Sequence, residues 1–90
     1  MQTNISPVTV YPGTANVLYV RAGNLGPPPS YYYQLQNVTP GVDGNPDTVV
    51  VLKDGNINMT QTQWAAWPAD ADDDEYQLTA IAANLNLTRA

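Results

Sequence analysis

The sequence predicts an α+β fold: a small antiparallel β-sheet of about four strands, covered by a short tryptophan-bearing helix and a C-terminal helix. Three observations lead there. "SYYYQLQNV" alternates apolar and polar side chains with the two-residue period of a half-buried strand. Prolines and glycines punctuate the chain up to Pro68, and none follows it. Two helix-start signals, Thr60 with Gln63 and Asp72 with Glu75, precede the two segments with helical spacing.

Residues 1–14 hold Pro7, Pro12 and Gly13 and read as an extended N-terminal arm or an edge strand, since proline cannot donate to a central ladder. Residues 15–90 then form a single α+β domain. "ANVLYVRA" (15–22) is β-branched and aromatic and predicts a strand. Pro27, Pro28 and Pro29 end it and favour a stiff polyproline connector. In the next strand, 30–38, Tyr31, Tyr33 and Leu35 point one way and Tyr32, Gln34 and Gln36 the other. After the turn-rich "TPGVDGNPD", Asp54-Gly55 between apolar runs signals a hairpin, giving strands at 47–54 and 56–60.

A capping box of Thr60 and Gln63 starts a helix over 61–67, which stops before Pro68 because a residue preceding proline avoids helical geometry. Trp64 and Trp67 then share a face and are expected to close the core. Five of the eight carboxylates follow within positions 70–75. Asp70, Asp72 and Asp74 alternate like calcium-loop ligands. The glycine required at the sixth loop position is Glu75, however, and the glutamate required at the twelfth is Ile81. The run instead suits the start of a helix over 72–86, where negative charge is favoured by the helix dipole. No metal site is expected.

In that helix Leu78, Ile81, Ala82 and Leu85 share one face, and Tyr76, Ala80 and Ala83 share the opposite one. The first stripe packs on the sheet; the second, of small residues, is expected to contact another surface. Val17, Tyr19, Tyr33, Leu35, Val51, Trp64, Leu78, Ile81 and Leu85 are expected to supply much of the core.

Composition narrows the function. The 90 residues include no cysteine and no histidine. That removes disulfides, thiolate zinc sites, the usual neutral-pH base and any Ser-His-Asp or Cys-His constellation. No catalytic residues and no cofactor are expected, and the chain reads as a non-enzyme. A formal charge of −5, with Arg21, Lys53 and Arg89 the only cations, argues against nucleic-acid binding. No apolar run reaches the length of a membrane span, and "MQTNISPVTV" has no signal-peptide pattern. Charged residues make up 12%, about half the usual share of roughly 25%. Asn, Gln and Thr replace them, as in a subunit extensively covered by neighbours.

"YYYQLQNV", "LKDGNINMTQTQWAAW" and "DDEYQLTAIAANLNLT" together resemble a pattern seen in small structural proteins of tailed bacteriophages. Its parts are a Tyr-Tyr-x-Leu strand, a Gly-centred hairpin, a tryptophan helix, and Asp-Asp-x-Tyr opening a closing helix. The resemblance covers about residues 31–88; the proline-rich start and the long 39–48 loop depart from it. It implies a virion protein made in the host cytoplasm: a capsid decoration (cement) protein, or the base of a head or tail fibre. Such a protein binds and stabilises the major capsid protein shell or another virion protein, as a homo-oligomer or in many copies on a lattice. Val8, Tyr11, Pro12, Pro27, Pro28, Pro29, Tyr32, Tyr76, Ala80 and Ala83 are the candidate contact residues. The alternative is a receptor- or glycan-binding domain of a head or tail fibre, with Tyr31, Tyr32, Tyr33, Trp64 and Trp67 as a stacking platform; a prophage-encoded cytoplasmic adaptor is a third reading.

Overall fold

Each strand of the sheet pairs with its neighbour in the chain, so the topology is a plain meander. The computed structural model describes residues 1–24 and 27–90. Among these lie β1 (Gln2–Val10), β2 (Gly13–Ala22), β3 (Ser30–Thr39) and β4 (Thr48–Asn58), then α1 (Gln61–Ala65) and α2 (Asp73–Asn84). The sheet is antiparallel in the order β1-β2-β3-β4. The expected α+β class is therefore found, with α1 carrying Trp64.

The pairing register explains the two faces. Leu18 lies opposite Leu35, Val20 opposite Tyr33 and Ala22 opposite Tyr31, which itself faces Ile57. Their side chains share one side of the sheet, and α2 covers it with Leu78, Ile81 and Ala82, joined by Ile5 and Met59. The Tyr31 hydroxyl donates to Gln77 Oε1 at 2.7 Å, fixing which side the helix occupies. On the opposite face a polar ladder runs along β3. Gln36 donates to Gln34 (2.8 Å), Gln34 to the Tyr32 hydroxyl (2.9 Å), and Tyr32 to Asp54 (2.9 Å). The Arg21 guanidinium sits 5.2 Å from the centroid of the Tyr32 ring.

Four expectations are corrected. First, of the two readings of 1–14 the edge strand holds and the extended arm does not: the segment is mostly β1, turned into β2 at Tyr11-Pro12. Pro7 is accommodated because the ladder jogs between Asn4 and Val8, so no amide is needed there. At that jog the C-terminal residues dock: Thr88 O accepts from Ser6 N (2.8 Å), and Ala90 N donates to Asn4 O (3.0 Å). Second, Asp54-Gly55 makes no hairpin, and β4 runs straight through it. A Cβ on Gly55 would lie 3.1–3.2 Å from Oη and Cε1 of the Tyr33 ring, so a side chain there would require the ring to shift by a few tenths of an ångström. Third, Val51 is exposed, and fourth, Trp64 is 37% exposed, so neither belongs to the core. Val17 and Tyr33 do lie buried as expected, while Tyr19 and Leu85 are half-buried.

Where β2 and β3 diverge, side-chain amides stand in for ladder bonds. Asn16 donates to Val38 O (3.1 Å) and accepts from Val38 N (2.9 Å), while Asn37 donates to Thr14 O (2.8 Å). Asn16→Leu leaves both Val38 groups without partners, so it should lower stability by about 1–3 kcal/mol. Urea unfolding and faster hydrogen exchange at the Val38 amide would show it; an unchanged midpoint would mean water replaces the amide freely.

The helix boundaries follow their caps. Thr60 and Gln63 close a full capping box, with bonds of 3.0 and 2.9 Å. Asp72 accepts from Glu75 N at 3.0 Å and is the N-cap of α2, with Asp73, Asp74 and Glu75 in its first turn. The Glu75 carboxylate does not return to the cap. It pairs with Arg89 at 2.8 Å, and Arg89 also donates to Thr3 and Thr79, so one guanidinium ties the chain end to β1 and α2. At its other end α2 closes with Asn86 in the left-handed region (φ 58°). Leu87 N donates to Ala82 O (2.8 Å) and Asn86 N to Ala83 O (3.0 Å), the paired bonds of a Schellman closure.

Burial raises the pKa of the Tyr31 phenol above its ordinary 10.0. The folded state thus holds this proton more tightly than the unfolded chain does. Its contribution is fully present below the ordinary phenol value and is lost as pH rises through the raised one. Denaturation midpoints should fall on going above that ordinary value, and fall less in Tyr31→Phe. Equal slopes in the two proteins would show that Tyr31 is not linked to the loss.

Candidate functional site

The turn at Tyr11-Pro12, the start of β2, the end of β3 and the start of β4 all meet at one end of the sheet, since Thr39 pairs with Thr48 and Val10 with Gly13. Tyr11, Val42, Val49, Val50 and Val51 lie there, between 48% and 92% exposed. They are five of the six exposed large apolar side chains among the described residues. The helices do not reach this end, so valines of both strand faces stay open. Exposed apolar side chains gathered in one region are a mark of interaction sites. The connecting loop is held in shape: Gly41 N donates to Asp47 Oδ1 (2.9 Å), Asp43 and Gly44 have φ of 55° and 82°, and a Cβ on Gly41 would collide with the Asn45 carbonyl.

β4 is also an edge of the sheet, bonded to β3 alone. An edge strand offers a row of unpaired amides and carbonyls to another chain. The opposite edge, β1, is interrupted by Pro7 and capped near Asn4–Ser6 by the C-terminal residues. The exposed end and the open edge thus coincide on Val49–Val51.

A second feature lies beyond the Asn58 end of β4, at α1. Trp64, Trp67, Pro68, Ala69 and Asp73 line an open cleft of about 460 Å³. The two indoles stand edge to face, 5.9 Å apart and 87° between planes. Trp67 stacks on Tyr76 at 5.1 Å, and the Tyr76 hydroxyl donates to the Gln63 carbonyl at 2.6 Å, which fixes the array.

The residues expected to contact a partner are scattered. Tyr11 and Pro12 are exposed at the apolar end, and Val8 is half-buried against the core. Pro27 and Pro28 lie at the other end, next to Ser30, and so do not join Tyr11. Pro29 is buried, and its carbonyl accepts from Met59 N at 3.0 Å, so it is withdrawn as a contact residue. Tyr32 belongs to the polar ladder. Tyr76 packs on Trp67, and Ala83 is exposed. Ala80 is 6% exposed and is likewise withdrawn. The second stripe of α2 is largely taken up by the chain's own α1, whose Gln63 donates to the Ala80 carbonyl at 3.3 Å. The five-ring platform does not form either, because Tyr31 and Tyr33 are buried in the core.

Sequence reasoning missed Val42, Val49 and Val50 as surface residues, and Asp73 as a wall of the cleft. No local signal marks the exposure of the β4 valines: "TVVVL" is a continuous apolar run, the pattern of a strand buried on both faces. Among the described residues no three His, Cys, Asp or Glu side chains gather to hold a metal ion, and no helix is long and apolar enough to cross a membrane. Compared with family models, with curated proteins and with solved structures, the chain matches none.

Proposed function

We propose that the chain is a non-catalytic assembly protein that docks by the Tyr11/Val42/Val49–Val51 end onto a larger protein surface. In its specific form it is a capsid decoration protein that binds the assembled shell of a tailed bacteriophage in many copies. The observation that carries the docking role is the gathering of exposed apolar side chains at one end of the sheet, where the β4 edge is also open. The low charged fraction supports it, since interface centres are depleted in charge. The phage setting rests on the resemblance of residues 31–88 alone.

Physically, a protein that binds only the assembled shell stabilises that shell by mass action. Its own requirements are modest: a rigid sheet, a fixed loop and an end that loses little desolvation energy when covered. The two proteins would meet through valine side chains and the free β4 backbone, without acid–base chemistry. Purified particles should carry hundreds of copies, on the order of the number of shell subunits, and should release their genome at a lower temperature when stripped of the protein. Equal release temperatures, or absence from particles, would exclude the cementing role. A handful of copies would place the protein at the tail or neck instead.

A further inference from the structure

The aromatic cleft at α1 lies at the other end of the molecule from the proposed docking end, and it does not depend on that reading. The geometry points to a binding site for an arginine side chain of a partner protein, stacked on Trp64 and paired with Asp73. The cleft's walls are Trp64, Trp67, Pro68 and Ala69, and its one charged wall is Asp73. The two indoles stand at 87°, the stack of Trp67 on Tyr76 holds that corner fixed, and Trp64, 37% exposed, keeps ring surface open to a ligand. An aromatic face attracts a cation through its quadrupole, and guanidinium, being planar and weakly hydrated, stacks best.

Charge decides among ligands that could stack there. Positions 70–75 hold five carboxylates, and Asp73 among them lines the cleft. Among the described residues only Glu75 is neutralised by an ion pair, to Arg89. Asp72 is engaged as the N-cap, and Asp73, an exposed wall of the cleft, has no protein donor to its carboxylate among the described residues. An anionic ligand is repelled by such surroundings. A neutral sugar needs donors as well as acceptors for its hydroxyls, and the side chains of this lining supply two indole N–H groups and one carboxylate. A guanidinium needs what is present: ring faces and an acceptor for its fork of N–H groups.

The chain has two tryptophans, so its indole N–H resonances give two separate reporters of the cleft. The full chain is titrated with the peptide Gly-Gly-Arg-Gly-Gly, with Gly-Gly-Gln-Gly-Gly, and with N-acetylglucosamine. The arginine peptide should shift both indole signals along a saturating curve, and added sodium chloride should weaken it. Asp73→Asn should weaken binding by roughly 2- to 5-fold, and Trp64→Ala by roughly 3- to 30-fold. Equal shifts with the glutamine peptide, shifts with the sugar alone, or binding unchanged in Asp73→Asn would each overturn the assignment. Asp73 is exposed at the first turn of α2, so the asparagine variant keeps the test valid even if Trp64→Ala loosens the fold.

Discussion

Replacing Ile81 by alanine is expected to lower the free energy of unfolding by about 2–5 kcal/mol. For a domain of this size the melting temperature should fall by roughly 10–30 °C. Ile81 is 0% exposed and sits in the middle of the α2 face that covers Leu18, Val20, Tyr31 and Leu35. The core is small and no disulfide supports it. The void left by the lost side chain would open in a cluster of buried side chains that are already close-packed and can refill it only in part. Ala83→Ser, on the exposed side of the same helix, should stay within about 0.5 kcal/mol. Thermal melts followed by circular dichroism separate the two. Similar melting temperatures for both variants would mean that packing of α2 on the sheet is not what holds the fold.

Much of this core could be read from residue order because periodicity records which side chains share a face. Tyr31, Tyr33 and Leu35 alternate with Tyr32, Gln34 and Gln36, and the structure sends the first set to the core and the second to the polar ladder. Leu78, Ile81 and Ala82 repeat at helical spacing and are buried, and the caps at Thr60 and Asp72 mark real helix starts. What failed needed information from distant residues. Asp54-Gly55 has the local chemistry of a turn, but β4 runs on through it, and what crowds position 55 is the Tyr33 ring on the neighbouring strand. Pro7 disfavours a strand locally, yet a jog in the ladder absorbs it and lets β1 join the sheet.

The candidate site was less legible for the same reason. Hydrophobicity alone made Val51 and Trp64 look like core residues. Whether an apolar side chain is buried depends on whether a covering layer reaches it, and α2 stops short of the sheet end that carries Val49–Val51. Ala80 failed in the opposite sense: a small residue on the outer stripe of α2 seemed free, but α1 folds back over it through Gln63. The five carboxylates were read correctly as a helix start, while their neighbourhood to Trp64 and Trp67 required the turn after α1 to bring Asp73 alongside the rings.

Val50→Lys tests the proposed docking end most severely. Val50 is 48% exposed, so a lysine there can keep its ammonium in water, and the isolated protein should unfold within about 0.5 kcal/mol of the parent. In the docked state the same charge would be trapped between two apolar surfaces without a partner. Loss of a central apolar contact together with that burial should weaken attachment by about 2–4 kcal/mol, or roughly 30- to 1,000-fold. Depletion of the protein from purified particles, scored by copy number, measures it against Thr62→Lys on α1 at the opposite end. The lysine at position 62 should leave occupancy unchanged under the docking geometry proposed here. If instead Val50→Lys binds like the parent while Thr62→Lys is lost, the attachment surface is the helical end, and the exposed valines must serve something else. Since Val50 lies among the exposed residues and Ile81 is fully buried, the pair separates loss of attachment from loss of fold.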